Sequence, residues 1–577
     1  MTSHSFAPAN AMTQPSRVDV PVIISGAGPV GLTLSSLLSR QGVRHLVLEK
    51  RDRINTLPRA RGINVRSVEI LTHLDLSEEL RRGGLPPLWT RQFVYTETMS
   101  GELVGVMPGN MGPGMTDAYS PCNYCVAAQD RLDPILYAKA KSFDTARILF
   151  NHEVTGYADE GDSVVATVRL RDGPGDGETQ RIRAQYLIAA DGGGKGSLRG
   201  MAGIATAYEE TYRSFVSAHF HADLSRFTRG REGALIWTLK PGLVGVFHPL
   251  DGDTAWAVQI QYDPSREHPE TWSTEVVLQR IRAMLGAADG DAVDIQIHKF
   301  YTFTLTASVA DQLRKGRLLL AGDAAHKTLP HGGWGLNTGI HTAHNLAWKL
   351  AAVLRGEAPD ALLETYNSER REAALRNCEF GKVNTRHIEQ MMRALRESAD
   401  LEQRRKIVDG SRQYGNWTGL DMGIHYEGSQ GAGAFVPDSI AAPEVADPVI
   451  DYVPHAKPGW RAPHFWARTV PEGYRISVIS LFDRDFVLLV GADGDEWLRA
   501  ARDVSQTRDP KIKAYRVGPD ADLIPESVDF TRLYGVSSSG AVLMRPDGHV
   551  AFRAQTRPGD CAAALNEALD TVLCRGH

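Results

Sequence analysis

Gly26-Ala27-Gly28-Pro29-Val30-Gly31 sets three glycines at positions one, three and six, and Glu49 follows 18 residues after the last of them. Glycines so spaced permit a tight turn, bring bare backbone against a pyrophosphate and let a helix pack on a strand, while a later carboxylate accepts hydrogen bonds from ribose hydroxyls. Dinucleotide binding is the chemistry this pattern can do. A second carboxylate, Asp323, closes the apolar run Arg317-Leu318-Leu319-Leu320-Ala321-Gly322, and Pro330-His331-Gly332-Gly333-Trp334-Gly335-Leu336-Asn337 comes shortly after it. Groups able to move a proton or hold an anion are Arg61, Tyr212, Arg213, His219, His248, Tyr262 and His331. Histidine suits proton transfer because its ordinary pKa lies near neutrality.

The elements that must position these residues are legible around them. Val22-Ile23-Ile24 reads as a buried strand entering the first glycine turn, Leu32 to Leu38 as the helix leaving it, and His45-Leu46-Val47-Leu48 as a second strand ending at Glu49. The helix N-terminus then faces the anion. This fingerprint leaves FAD and NAD(P) both open. Tyr186 to Ala190 reads as a further strand before Asp191-Gly192, and a helix starting near residue 335 runs through Leu346, Leu350 and Leu354.

Composition restricts the rest. The hydrophobic share is 42% and the charged share 23%, ordinary for a folded globular chain. Lys+Arg 64 against Asp+Glu 69 leaves a net charge of −5, which supplies no field for gathering nucleic acid or anionic lipid. Five cysteines form no disulfide framework at this length and suit a reducing, cytoplasmic compartment. Cys122 and Cys125 have metal or redox spacing without a second ligand pair, so they read as buried thiols and no metal is expected. Residues 1–20 lack the apolar core of a secretory signal and read as a mobile leader, and no run of 18 apolar residues follows.

The segment from Asp323 to Asn337 resembles the FAD-dependent aromatic hydroxylases, single-component flavoprotein monooxygenases that include phenol and polyketide hydroxylases. The resemblance implies FAD, with Asp323 on the ribityl chain, Pro330, Gly333 and Gly335 beside the isoalloxazine ring, and the backbone of Leu336 and Asn337 at its pyrimidine edge. The glycines at 332, 333 and 335 agree physically, since they clear the backbone for a flat ring, and the helix dipole would favour a reduced, anionic flavin. Pro58-Arg59-Ala60 and Gln129 match further family positions, so Arg59 and Gln129 are expected on FAD beside Gly26, Gly28, Gly31, Glu49 and Lys50. The chain departs from the family pattern in three places. Gly192-Gly193-Gly194-Lys195-Gly196 is unusually glycine-rich, Leu329 stands where a proline is common, and Thr342 replaces an aspartate that commonly follows the glycine loop.

The fold class implied is α/β and α+β, with a Rossmann-like FAD-binding domain interleaved with an antiparallel-sheet substrate domain and followed by a C-terminal thioredoxin-like domain. The expected boundaries are FAD-binding segments at 21–205 and 306–426, a substrate sheet at 206–305, a Pro/Gly-rich linker at 427–462 that includes Gly428 and Gly431, and the last domain at 463–577. Within that domain, Ile476 to Phe482 and Asp485 to Val490 read as strands, and a hairpin is expected around Pro546-Asp547-Gly548. It lacks a Cys-x-x-Cys pair and should be redox-inert, supporting a homodimer. Glu369-Arg370-Arg371-Glu372 reads as a solvated helix face.

Aromatic side chains of the sheet, among them Tyr212, Phe220, Trp237, Phe247 and Trp256, could stack on an arene. Trp237, Phe247, Tyr262 and Trp334 are the expected substrate contacts. A flavin C4a-hydroperoxide delivers electrophilic oxygen, so a phenol reacts best as phenolate and needs a base or a cation nearby. His331 and Arg61 are the preferred pair, with Tyr212 third. The expected function is therefore hydroxylation of a phenolic or polyketide substrate with NAD(P)H, NADPH favoured, and O2. Two other readings stand beside it: Baeyer-Villiger oxygen insertion on the same scaffold, and a non-catalytic flavin-binding sensor.

Overall fold

The computed structural model describes residues 18–576 apart from 173–174, 195, 287–292, 399, 412–413 and 428–432. Residues 1–17 of the expected leader, Lys195, Gly428 and Gly431 lie outside the described residues.

Strand Val20–Ser25 is apolar and almost wholly buried, as a strand covered on both faces must be. It pairs in parallel with His45–Leu48 on one side and with Thr179–Ala189 on the other, Ile23 standing opposite Leu46 and Leu187. Leu318–Leu320 adds in parallel beyond Thr179–Ala189. Because these four strands run the same way, their carboxyl ends share one edge of the sheet. Four loops starting at Gly26, Glu49, Ala190 and Ala321 therefore meet there, which is where ligands bind in open parallel sheets. Helices Pro29–Arg40 and Trp334–Leu354 pack against one another.

A second sheet has eight strands. Its long pair, Thr206–His221 and Gln296–Ala310, is antiparallel, followed in order by Ala255–Tyr262, Gly245–Pro249 and Leu235–Thr238. The sheet extends beyond the 206–305 run, because Gln92–Thr96 pairs with Leu235–Thr238 and Leu103–Pro108 completes that edge. Register decides which side chains share a face. Phe303, Phe215 and Gln261 are successive cross-strand partners, and Gln259, two residues before Gln261, continues the same face through Val246, Trp237 and Tyr95. Phe220, Trp256 and Phe247 fall on the other.

The C-terminal part carries a four-stranded sheet in which Phe486–Val490 pairs in parallel with Ile512–Arg516 and antiparallel with Ala541–Met544, and Val550–Ala554 closes the edge. Helices Asp495–Thr507 and Cys561–Val572 pack on each other. This βαβ unit followed by a hairpin and a helix is a topology compatible with the thioredoxin-like expectation. Ile476 to Phe482 is not one strand: it is a strand over Arg475–Ser477 and then a 3-10 turn over Val478–Leu481. The Ser477 hydroxyl accepts from the Ile479 N–H at 3.2 Å, and this local bond ends the strand.

The expected solvated face at 369–372 is also corrected. Glu369 and Arg370 are 2% and 1% exposed. Helix Leu362–Glu397 turns Glu369 toward Lys349 at 2.7 Å and Arg545 at 2.8 Å, and Arg545 also pairs with Asp547 of the Pro-Asp-Gly turn. A second buried cluster joins Glu69 to Arg66 at 2.9 Å and to Arg461. Both clusters tie the C-terminal third to helices that follow the cofactor loops. Such pairs cost desolvation and reward only close, complete geometry, so they fix the fit between segments more than they add stability.

Candidate active site

The shared sheet edge opens into a cavity of about 940 Å³ that continues across to the aromatic face of the second sheet. At its first end, the three glycines have separable roles. Gly26 has φ +111° and a side chain there would strike the Ala190 carbonyl oxygen at 2.3 Å; at Gly31 it would strike the Gly26 carbonyl oxygen at 2.1 Å. At Gly28 a side chain would meet nothing within 4 Å, so that backbone is bare toward the cavity. Helix Pro29–Arg40 carries no side-chain cap, leaving its first N–H groups for an anion. Glu49 is held by the Ala27 N–H at 2.9 Å and the Arg51 N–H at 3.1 Å.

Lys50, Arg59, Gln129 and Asp323 line the same end. Gln129 opens helix Gln129–Lys141, its N–H bonded to the Ala60 carbonyl at 2.8 Å and its side-chain amide donating to Asp133 at 3.0 Å. Burial lifts the Asp133 carboxyl to about 7. Asp323 is open to the cavity, yet its enclosed setting raises its pKa against the opposing charges of Lys327 and Arg59. Lys327, which the motif reading missed, also lines the cavity and donates to the Gly193 carbonyl at 3.1 Å. A side chain at Gly193 would collide with Lys327, which accounts for one of the extra glycines.

Between the two ends run Pro330, His331, Gly332, Gly333, Gly335 and Leu336. Gly332 and Gly333 have φ +115° and +72°, and Gly333 starts helix Trp334–Leu354 without a side-chain cap. The Asn337 side chain faces away: it accepts from the Asn64 N–H at 3.0 Å and donates to the Gly62 and Gly333 carbonyls at 3.0 and 2.6 Å. Asn337 thus locks the loop after Arg61 to the glycine loop.

At the sheet end the walls include Phe93, Tyr95, Phe215, Trp237 and Phe303, with Tyr414 and Trp417 from the later helical region. Arg61 enters between the ends. Its guanidinium donates to His248 Nδ1 and approaches the Ala234 and Pro249 carbonyls at 3.5 Å, with no carboxylate paired to it among the described residues. Burial pushes its pKa down to about 10. Since Nδ1 of His248 accepts from Arg61, its Nε2 carries the proton, and burial holds the ring pKa well below the usual value.

Other expected contacts do not reach the cavity. Phe247 is fully buried on the opposite sheet face against Phe220 at 6.4 Å, and Tyr262 packs on Trp272 at 5.7 Å. Trp334 is buried against Phe380 and Trp417. The Tyr212 hydroxyl donates to Glu210, outside the lining. His331 does line the cavity. Thr385 gives its hydroxyl proton to the Gly381 carbonyl at 2.7 Å, so it accepts from His331 Nδ1 at 2.8 Å and leaves Nε2 with a free lone pair. Burial lowers that imidazole to about 4, so it is neutral near pH 7 and a weak base.

Cys122 and Cys125 are free thiols, raised by burial to about 11 and about 12. Among the described residues no helix is long and apolar enough to cross a membrane.

Known proteins resemble this chain along nearly its whole length. The FAD binding domain family matches residues 19–380, and the aromatic-ring hydroxylase C-terminal family matches residues 455–575. The 4-methyl-5-nitrocatechol 5-monooxygenase of Burkholderia sp is 31% identical over 97% of this chain and 99% of its own length. Aklavinone 12-hydroxylase RdmE of Streptomyces purpurascens is 32% identical over 96% of this chain and 99% of its own. The solved structure of the flavin-dependent monooxygenase PieE with FAD and substrate superposes with a TM-score of 0.87 at 29% identity, covering 96% of this chain and 99% of that one.

Proposed function

The chain belongs to the FAD-binding aromatic-ring hydroxylases and is an FAD-dependent aromatic monooxygenase, and on that premise we propose that it hydroxylates a phenolic or polyketide ring held against the sheet with its hydroxyl toward Arg61 and His248. The observation that carries this reading is a half-buried guanidinium with no carboxylate partner among the described residues, set among aromatic walls. A cation there favours an oxyanion over a neutral hydroxyl and so eases loss of the phenolic proton. His248, accepting from the guanidinium through Nδ1, holds Arg61 in place for that oxygen. Phe215, Trp237 and Phe303 would stack on the ring and exclude water.

FAD, when bound, takes a hydride from NAD(P)H and activates O2. For FAD, the bare backbone at Gly28, the anchored Glu49 and Asp323 suit the pyrophosphate, ribose and ribityl groups respectively. Arg59, Lys50 and Gln129 would complete that hold, and the glycine loop from Pro330 would take the ring. The neutral His331 beside it is suited to accept a hydrogen bond more than to remove a proton. NAD(P)H, with NADPH favoured, is the proposed reductant, and the lack of a second glycine fingerprint in the sequence supports its binding only transiently. The low cysteine content supports a cytoplasmic setting, and gel filtration would test the expected homodimer.

A screen of phenols, naphthols and polyketide aromatics for stimulated NADPH oxidation, with oxygen and peroxide balanced, tests the substrate class. Labelled O2 should appear in a new ring hydroxyl. Label in an ester would establish ring insertion instead, as sequence alone allowed.

A further inference from the structure

Behind the glycine loop lies a second cavity of about 160 Å³. The first turns of Trp334–Leu354 divide the two: Gly335 and Leu336 face the large cavity, whereas Asn337, Thr338 and His341 line the small one. Arg370 and Arg376 of helix Leu362–Glu397 form its opposite wall, and the exposed residues Pro443, Asp451 and Val453 stand at its mouth.

Arg370 is the unusual member. It is 1% exposed and always charged. Its Nε donates to Thr342 Oγ1 at 3.3 Å, one terminal nitrogen to the Tyr426 hydroxyl at 3.1 Å and the other to the Thr338 carbonyl at 3.3 Å. All three acceptors are neutral, and three of five N–H groups are spent. The neighbouring Glu369 is committed to Lys349 and Arg545. Arg376 bonds the carbonyl and Nε2 of His425 at 2.6 and 3.1 Å. Among the described residues neither arginine forms a salt bridge. Asp421 also lines the cavity, but it is bound to Asn64 at 2.8 Å, and burial raises its pKa with no arginine acting on it. A buried cation without a counter-charge is strongly unfavourable, and Thr342, whose hydroxyl lies 3.3 Å from the Arg370 Nε, offers it a neutral oxygen only.

We propose that the small cavity binds a small monovalent anion, of the size and charge of chloride or formate, against the Arg370 guanidinium. The ion enters past Pro443 and Val453 and supplies the negative charge that none of the three Arg370 acceptors carries. Because helix Trp334–Leu354 separates the two cavities, the bound ion steadies the glycine loop from behind.

The test uses the FAD-loaded full-length protein. Its melting temperature should rise saturably in sodium chloride relative to sodium gluconate at equal ionic strength, gluconate being too bulky for the cavity. Thr342→Asp should melt higher than wild type in gluconate and lose the chloride response, and Arg370→Gln should also lose it. Crystals soaked in bromide should show an anomalous peak within hydrogen-bond reach of Arg370, a measurement that needs no variant to fold. An empty cavity in bromide, or a Thr342→Asp protein that responds to chloride as wild type does, would overturn the proposal.

Discussion

At the dinucleotide end of the large cavity, recognition rests on backbone and on short, anchored groups: Gly26 and Gly31 leave no room for a side chain, and Glu49 is fixed by two N–H groups. At the sheet end it rests on long side chains from four separate stretches, Phe93, Phe215, Trp237 and Phe303, with the Arg61 guanidinium, unpaired with any carboxylate among the described residues, at the junction. The first end is specified by local spacing and tolerates almost no change. The second is specified by strand register, so each wall residue contributes a share and replacements should act by degrees. Cofactor retention and substrate handling should therefore fail separately.

Gly31→Ala breaks the contrast most severely, because the added carbon would lie 2.1 Å from the Gly26 carbonyl oxygen. Purified protein should be colourless, with a far-ultraviolet spectrum retaining the folded pattern. Arg61→Met should come next: losing a buried charge that stabilises developing negative charge is worth roughly 100-fold or more in kcat/KM. NADPH consumption should continue with peroxide released in place of product, and Arg61→Lys should recover part of the coupling. Asp323→Ala should weaken FAD binding about 10- to 100-fold, the usual value of hydrogen bonds to a charged group. Trp237→Leu should raise the substrate KM by about tenfold or less with FAD binding unchanged, as expected for loss of one ring contact. Phe247→Leu, on the other sheet face, should cost stability and leave KM alone.

The smallest effect belongs to His331. Its lowered pKa, about 4, keeps it neutral above about pH 6, so His331→Asn should leave the kcat/KM profile between about pH 6 and 8 unmoved. The folded state binds this proton less readily than the unfolded chain does. Stability from this group is thus present above the unfolded pKa and lost as pH falls from about 6.5 toward about 4. The variant should soften that acid-side loss in a melting series.

Much of this was legible in the sequence because the cofactor end is local. The strands leading into Gly26 and Glu49, the Asp323 loop and the helix from Trp334 each declare themselves within about 15 residues. The substrate walls were hidden for a physical reason. Gly245–Pro249 is buried along its whole length, as is Phe215–Phe220, so no polar alternation marks which face meets the cavity. Choosing Phe247 over its neighbour His248 was a choice of the wrong parity. Phe93 and Tyr95 lie some 140 residues before the strand they join, and no local pattern connects them. Glu369 and Arg370 read as surface because their burial depends on partners distant in the chain, Arg545 for Glu369 and Tyr426 for Arg370.

The separation of the two ends is tested most directly by titrating FAD into apo protein of Asp323→Ala and Arg61→Met side by side, following flavin fluorescence. Arg61→Met should bind FAD with wild-type affinity and Asp323→Ala should bind it about 10- to 100-fold more weakly. Equal loss in both, or none in Asp323→Ala, would contradict a cavity whose cofactor and substrate ends are built independently.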